Sequence, residues 1–194
     1  MKQTLLLLAT LLMVVVTKAQ HKQPYLALTL YNHSFSAKLF PRPLNLGLAL
    51  EYGLSLNKKE KNRWYVPISL LYINHRNLYQ AVGISAGIQY KHVGQNGFVK
   101  GGDFSIGYLQ SFDVYQRYAQ TSEGKYEKVG DPGRGSLLPA IRLSLGYDFS
   151  KKGELPLELF TRYQLALQSP FSGAVPFIPQ LGFQLGAGFN LNQQ

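Results

Sequence analysis

The sequence predicts an all-β fold, an eight-stranded antiparallel up-and-down transmembrane β-barrel. Large apolar residues alternate with small or polar ones in repeated stretches, the stretches number eight, and short turns alternate with longer connections. Successive side chains of a β-strand point to opposite faces, so a period of two indicates a strand with one apolar and one polar face.

The clearest alternation covers residues 44–57. Every even position holds leucine or tyrosine, and the odd positions hold small, polar or charged residues. At roughly 3.3 Å per residue the stretch is about 45 Å long, which is enough for a tilted strand to cross a bilayer.

The same pattern recurs along the chain. We predict eight strands, over residues 25–32, 44–57, 64–73, 81–91, 98–114, 136–150, 155–168 and 181–192. The turns at 58–63, 94–97 and 151–153 are short and fall on one side, whereas three of the four opposite connections are longer. Short periplasmic turns, longer external loops and an even strand count are typical of bacterial outer-membrane barrels.

A soluble eight-stranded barrel would show the reverse arrangement of faces. Its large apolar side chains would surround a ligand cavity, and its polar side chains would face water. Here the small face suits a narrow interior and the large face suits lipid. Aromatic residues near the predicted strand ends suit the interfacial girdles of a membrane barrel, and they are Tyr52, Trp64, Tyr72, Tyr90, Phe98, Tyr147 and Phe189.

The first 19 residues have the features of a cleavable secretory signal peptide. Lys2 gives a positive start, an apolar run covers residues 5–16, and the small-x-small motif at 17–19 precedes Gln20. A membrane-anchoring helix needs about 20 apolar residues, and this run is shorter. We therefore expect residues 1–19 to be removed and residues 20–194 to form the exported barrel domain.

The composition restricts the chemistry of the exported chain. Cysteine is absent, which excludes disulfides, thiolate catalysis and thiolate metal sites. The formal charge is +10, and loss of Lys2 and Lys18 with the signal leaves +8. Because many of the cations lie in predicted turns and loops, we expect contact with anionic lipid and lipopolysaccharide phosphates rather than with nucleic acid.

The last predicted strand carries the most specific motif. It follows the pattern polar-x-Gly-x-x-aromatic-x-apolar through Gln184, Gly186, Phe189 and Leu191. With this motif and its strand pattern, the chain resembles the small OmpA/OmpX-type outer-membrane β-barrels of Gram-negative bacteria. The resemblance implies that the motif is the assembly signal for the barrel assembly machinery, although three residues follow Leu191 here and the aromatic residue is often terminal in that family.

Charged residues also occur on the predicted inward face. They are Glu51, Lys91, Asp103, Arg142, Asp148, Glu158 and Arg162. An unpaired buried ion costs several kcal/mol, so charges in a narrow lumen must be paired or hydrogen-bonded. We predict that Glu51 bridges Arg142 and Arg162 and that the network fills a non-conducting lumen, with a proton or ion path as the alternative.

An enzymatic alternative follows from the resemblance, because some barrels of this class modify lipid A as acyltransferases or deacylases. The catalytic candidates on the predicted outer side are His33, with Ser34 or Ser36, and His75. A hydroxyl nucleophile needs an adjacent base, and no orienting carboxylate is evident nearby. Pro139 interrupts a predicted strand, where a missing backbone donor would open a lateral path for lipid.

Two predicted external loops are candidates for binding. The polar insertion at 115–135 places aromatic rings among cations, a composition suited to sugars, lipopolysaccharide phosphates or another protein. The loop at 169–179 is apolar, and we expect it to cap the barrel mouth, enter the outer leaflet or meet a partner. The candidate residues are Tyr115, Arg117, Tyr118, Lys125, Tyr126, Phe171 and Phe177.

The sequence therefore predicts a barrel with a structural or surface-interaction role, alone or as a small subunit of an envelope complex. A lipid A-modifying enzyme of the outer leaflet is the alternative. No phosphate-cradling motif occurs in a strand-loop-helix context, and the four histidines lie on separate elements, so we expect no cofactor and no metal site.

Overall fold

The structure is a computed structural model that describes residues 24–35, 45–76, 78–120, 122, 124–153, 155–172 and 175–191. The predicted signal peptide and Ser36 lie outside the described residues. The strands are β1 Tyr25–Ser34, β2 Leu46–Ser55, β3 Asn62–His75, β4 Tyr79–Val93, β5 Phe98–Asp113, β6 Arg117–Gln120, β7 Tyr126–Val129, β8 Arg134–Asp148, β9 Leu157–Gln168 and β10 Ile178–Asn190.

Eight of these strands close into a single antiparallel barrel. Each barrel strand pairs with the next one along the chain, and β10 pairs back to β1. Tyr25 lies opposite Gly53 in the first hairpin and opposite Asn190 in the closing pair. The up-and-down connectivity confirms the predicted fold class. Within the described residues, no helix has the length and apolarity needed to span a membrane.

The outward face of the barrel is an apolar belt to which all eight barrel strands contribute. Leu28 on β1 is 56% exposed and Leu143 on β8 is 67% exposed, whereas the adjacent inward residues Ala27 and Arg142 are buried. Monomeric soluble proteins do not expose contiguous apolar surface on this scale, but a lipid-facing barrel wall requires it. The alternation therefore predicted the two faces correctly.

Aromatic side chains lie at the end of the belt that carries the short turns. Trp64 and Tyr90 are direct cross-strand partners with ring centroids 5.1 Å apart. Tyr147 and Phe149 pack edge to face at 4.9 Å beside the β8–β9 turn. Such rings prefer the boundary between lipid and water, which agrees with the predicted girdle.

Three local predictions were wrong. β3 begins at Asn62, so Arg63 belongs to a strand and faces the lumen instead of lying in the predicted turn. β8 ends at Asp148, because its carboxylate accepts a hydrogen bond from the backbone N–H of Ser150 and caps a 3-10 turn over Phe149–Lys151. The insertion at 115–135 contains the two-stranded ribbon β6–β7 instead of an irregular loop.

Inward-facing rings occupy the space that glycines leave on neighbouring strands. A Cβ atom at Gly53 would overlap the ring of Tyr25, and one at Gly186 would overlap the ring of Phe160. The rings that fill the lumen therefore require glycine at these positions, which explains the glycines on the inner face of β10 better than backbone flexibility does.

We predict that Gly186→Val destabilises the barrel by about 1–3 kcal/mol, because the new side chain overpacks against Phe160. Urea unfolding of the refolded protein in detergent micelles measures the loss. Ala187→Val is the matched control, since Ala187 is the adjacent residue on the outward face and has room in lipid or detergent. Equal stability of the two variants would contradict this account of the glycines.

Candidate functional site

The centre of the lumen is organised around one carboxylate, Glu51 of β2. Arg162 of β9 donates two hydrogen bonds to it, from Nη1 to Oε2 at 2.9 Å and from Nη2 to Oε1 at 2.7 Å. Nη1 of Arg142 on β8 lies 3.1 Å from Oε2. The Tyr25 hydroxyl donates to Oε1 at 2.6 Å, and Ser69 Oγ donates to Oε2 at 3.0 Å. The predicted bridge from Glu51 to both arginines is present.

Three further ion pairs extend this network. Arg142 Nε donates to Asp103 Oδ1 at 2.6 Å from the directly opposite position on β5. Toward the end that carries the short turns, Lys91 Nζ contacts both oxygens of Glu158, at 2.9 and 3.0 Å. The Nζ atom of Lys91 also lies 4.3 Å from the centroid of the Tyr25 ring, a cation–π distance.

The last of these pairs contains a residue that the sequence did not identify. Arg63 Nη1 lies 3.2 Å from Asp148 Oδ2, and both side chains are buried. The sequence contains one indication of this role. Arg63 lies an even number of residues before Tyr65 and Ser69, so it belongs to the same inward face of β3. Among the described residues, the buried charged side chains are four cations and four carboxylates, namely Arg63, Lys91, Arg142, Arg162, Glu51, Asp103, Asp148 and Glu158.

The outer half of the lumen is filled by amides and phenols in place of ions. Gln164 links the Tyr31 hydroxyl to Gln184, with distances of 3.2 and 2.8 Å. Nearer the mouth, Gln180 donates to Gln168 at 2.5 Å and to the Tyr79 hydroxyl at 3.3 Å. Glutamine at inward positions of several strands was visible in the sequence, but their mutual partners depend on the register around the barrel.

Two catalytic candidates, His33 and His75, meet at the outer mouth. Their ring centroids are 5.3 Å apart at an interplanar angle of 68°. His33 is fully buried and its ring stacks on Tyr31 at 5.8 Å, while half-buried His75 stacks on Phe35 at 5.3 Å. The two histidines lie on separate strands, as the sequence indicated, and the register of β1, β2 and β3 brings their rings together.

No carboxylate contacts either imidazole in the described part of the chain. The ring nitrogens of His33 and Nδ1 of His75 are buried without a hydrogen-bond partner. Tyr79 of β4 pairs with His75, and the residue opposite Tyr79 on β5 is Asp113. The carboxylate of Asp113 is held by Arg134 at 2.6 Å. The geometry therefore lacks the acid that would orient a histidine base.

Pro139 creates a local gap in the wall between β8 and β9. Leu137 exchanges both backbone hydrogen bonds with Ser169, and regular pairing resumes only at Ala140 opposite Ala166. The outer surface of this gap is an apolar groove of about 370 Å³. Its lining comprises Phe104, Pro139, Ala140, Ile141, Leu165, Ala166, Leu167 and Pro179.

The loop candidates separate into two groups. Tyr115, Tyr118 and Tyr126 are 60–71% exposed on or beside the β6–β7 ribbon, on which Arg117 is the first residue and Lys125 immediately precedes β7. Phe171 instead packs toward the mouth, with its ring 5.4 Å from that of Phe35. Phe177 is 59% exposed.

The residues of the expected assembly signal alternate across the wall of β10. Gln184 points inward and donates to Gln164, and Gly186 lies beneath the Phe160 ring. Phe189 and Leu191 are about half-exposed on the outward side. The motif thus presents its aromatic and final apolar residues to lipid.

The barrel is similar in structure to Neisserial surface protein A, with a TM-score of 0.56 at 9% sequence identity, over 87% of this chain and 96% of that one. The chain has the fold of a small outer-membrane β-barrel. At this identity the likeness establishes the fold and carries no residue roles. No protein-family model matches the sequence, and a search of curated proteins finds no match.

Two other solved structures are less similar. The outer membrane enzyme PagL aligns at 10% identity with a TM-score of 0.49, over 86% of this chain and 99% of that one. Ail, the attachment invasion locus protein of Yersinia pestis, aligns at 12% identity with a TM-score of 0.42, over 86% and 95% of the two chains. Neither likeness assigns an activity to this barrel.

We predict that Glu51→Gln lowers the free energy of unfolding by about 3–5 kcal/mol, because it leaves two buried arginines without their shared carboxylate. Glu60→Gln is the control. Glu60 lies in the exposed β2–β3 turn, where its ion pair with Lys151 is solvated and contributes little stability, so its replacement should shift the urea midpoint far less than Glu51→Gln does. Similar midpoints for both variants would show that Glu51 does not brace the lumen.

Proposed function

We propose that this chain is an outer-membrane barrel with a filled, non-conducting lumen that presents a binding ribbon above the outer surface. In this proposal it acts as a structural or surface-interaction protein, alone or within an envelope complex. Its ligand class is phosphorylated sugar, as found in lipopolysaccharide. Export by the signal peptide at residues 1–19 and insertion by the barrel assembly machinery through the β10 motif belong to the same proposal.

The observation that carries the proposal is the aromatic face of the β6–β7 ribbon. Tyr118 pairs with Lys128, and Gln120 pairs with Tyr126. These two pairs are separated by one intervening pair, so all four side chains lie on the same face of the ribbon. Tyr118 and Tyr126 are 60% and 71% exposed, and Lys128 stands between them.

Such a face suits a sugar that carries phosphate. Tyrosine rings offer flat apolar surface to the C–H face of a sugar and a hydroxyl for its polar groups, and a lysine between them supplies a cation for the phosphate. The other paired positions of the ribbon hold Ala119 opposite Glu127 and Arg117 opposite Val129, and none of these residues is aromatic. The two faces therefore differ in chemistry, and the binding face is the one with the tyrosines.

The orientation of the barrel supports the same ligand. The start of β1 and the end of β10 lie at the side with the short turns, where Tyr25 pairs with Asn190. With that side in the periplasm, the ribbon stands on the outer side, among the phosphorylated core sugars of lipopolysaccharide.

A non-conducting lumen is supported by the pairing of its buried charges. The four buried cations and four buried carboxylates pair with one another across the barrel. A row of paired ions that bridges opposite walls leaves no continuous aqueous path, and eight strands enclose an interior just wide enough for side chains.

We predict that Tyr118→Ser combined with Tyr126→Ser lowers affinity for a fluorescently labelled, phosphorylated lipopolysaccharide core oligosaccharide by about tenfold or more, since aromatic anchors dominate such interfaces. Fluorescence anisotropy with the detergent-solubilised barrel measures the affinity. Glu127→Gln, on the opposite face, should bind as the unmodified protein does. Equal binding by the double variant would refute the ribbon site, and equal binding of dephosphorylated sugar would remove phosphate from the proposal.

A lipid A-modifying enzyme remains the second candidate because of two specific observations. His33 and His75 meet at the outer mouth. The groove at Pro139, on the outer wall, is apolar and suits an acyl chain. However, the imidazoles face the lumen whereas the groove faces lipid, and inward-facing Ala140 and Ala166 belong to the wall between them. The acid–base pairing that such catalysis needs is also missing from the described residues.

We predict that lipid A from cells with and without this protein gives the same mass spectrum, because the histidine pair lacks an orienting acid. Mass spectrometry of lipid A extracted from a deletion strain and a complemented strain tests this. A shift by the mass of an acyl chain that disappears in the His75→Gln strain would overturn the prediction and establish the enzyme.

A further inference from the structure

Three polar side chains form one inward-facing row at the barrel mouth. Asn45 lies next to His33 of β1. The backbone N–H of His33 donates to the backbone carbonyl of Asn45 at 3.2 Å, and the side-chain Nδ2 of Asn45 donates to the backbone carbonyl of His33 at 3.1 Å. Gly47 pairs with Ile73 between β2 and β3, so the next inward positions toward the mouth are Asn45 and His75. The row therefore runs His33, Asn45, His75 across three adjacent strands.

Each member of the row has a buried acceptor atom without a partner. Both ring nitrogens of His33, Nδ1 of His75 and Oδ1 of Asn45 are buried and make no hydrogen bond. Buried polar groups are nearly always hydrogen-bonded, and an unpartnered one costs roughly 1–3 kcal/mol. Three such side chains side by side call for a shared partner.

Among the described residues, the surroundings of the two imidazoles consist mostly of aromatic rings. The rings against the two imidazoles are those of Tyr31, Phe35 and Tyr79, with Phe171 beyond. The Tyr79 hydroxyl is already engaged by Gln168 and Gln180. A buried imidazole in an aromatic setting is most stable in its neutral form, and neutral imidazole is the form that binds metals.

The spacing of the two rings matches that of paired metal ligands. With metal–nitrogen bonds of about 2.0–2.1 Å and a tetrahedral angle, the centres of two coordinating imidazoles stand about 5 Å apart. The His33 and His75 centroids are 5.3 Å apart, with the ring planes inclined at 68°. Aromatic pairs without a metal also occur at this separation, so the spacing permits coordination, and the unpartnered ring nitrogens are what call for it.

We propose that His33 and His75 coordinate a divalent transition-metal ion of the copper and zinc class at the barrel mouth, with Asn45 Oδ1 as a further ligand. Imidazole nitrogens select this class, whereas calcium and magnesium require oxygen ligands. The Irving–Williams order makes copper(II) the tightest divalent ion for a nitrogen site. In the described residues no three His, Cys, Asp or Glu side chains are arranged to hold a metal, so water completes the coordination sphere.

The ion reaches the site from outside the cell. His75 is only half-buried at the rim of the mouth, whereas His33 lies fully buried beneath it. The open positions of the metal thus face the external side, and the rings of Phe35 and Phe171 limit how many waters reach it. The site is independent of the β6–β7 ribbon and adds a function to the proposed surface-interaction barrel.

Copper(II) titration of the refolded barrel in detergent, followed by electron paramagnetic resonance, tests the site. Every protein in the series carries His21→Gln, which removes a histidine near the exported N-terminus. His92→Gln is the matched control, because His92 lies at the other end of the barrel with its Nδ1 atom 2.8 Å from Asn62 Oδ1. We expect this control to bind one copper(II) with hyperfine coupling to two nitrogens, as the parent does.

His75→Gln and His33→Gln should each lower copper affinity by about tenfold or more and reduce the coupling to one nitrogen. Heat-dependent migration on gels shows whether each variant is folded. If His33→Gln fails to fold, the half-buried His75→Gln alone decides the outcome. Unchanged affinity in a folded His75→Gln variant, or no copper binding by the parent, would overturn the proposal and leave buried water as the partner of the imidazoles.

Discussion

A single buried carboxylate connects five of the eight barrel strands. From β2, Glu51 contacts Arg142 on β8, Arg162 on β9, Tyr25 on β1 and Ser69 on β3. The number of strands and their register set the mean diameter of the closed barrel. The Glu51 contacts then brace opposite walls across the lumen, because both carboxylate oxygens are engaged and an unpaired arginine in this low-dielectric interior is too costly to leave behind.

Charge neutrality inside the barrel has a consequence for its ends. The buried ions of the described residues balance one another, and the outward belt is apolar, so neither carries the excess positive charge of the chain. Among the described residues, that excess lies in turns, loops and strand ends at the two rims. The barrel therefore carries its excess cations at the two rims, while the membrane-spanning wall remains uncharged.

Features that follow from the period of two were predictable from the sequence, and those that depend on register were not. Alternation predicted the eight strands and their faces, and pairing rules then predicted the partners of Glu51. Arg63 was missed because charged neighbours made its segment resemble a turn. The meeting of His33 with His75 depends on how β1, β2 and β3 align. The strands β6 and β7 have four residues each, which is too few for an alternating pattern to distinguish them from a loop.

The break at Pro139 makes the barrel mechanically uneven. Leu138 and Pro139 are missing from the β8–β9 ladder, and in the outer half the lumen beside them is lined by alanines instead of paired ions. Below this level the cross-lumen ion pairs hold the walls together. The wall therefore has a window of two residues instead of an open seam, because the Leu137–Ser169 hydrogen bonds close it on the mouth side and the cross-lumen ion pairs brace it below, so local loosening of the wall is confined to this window.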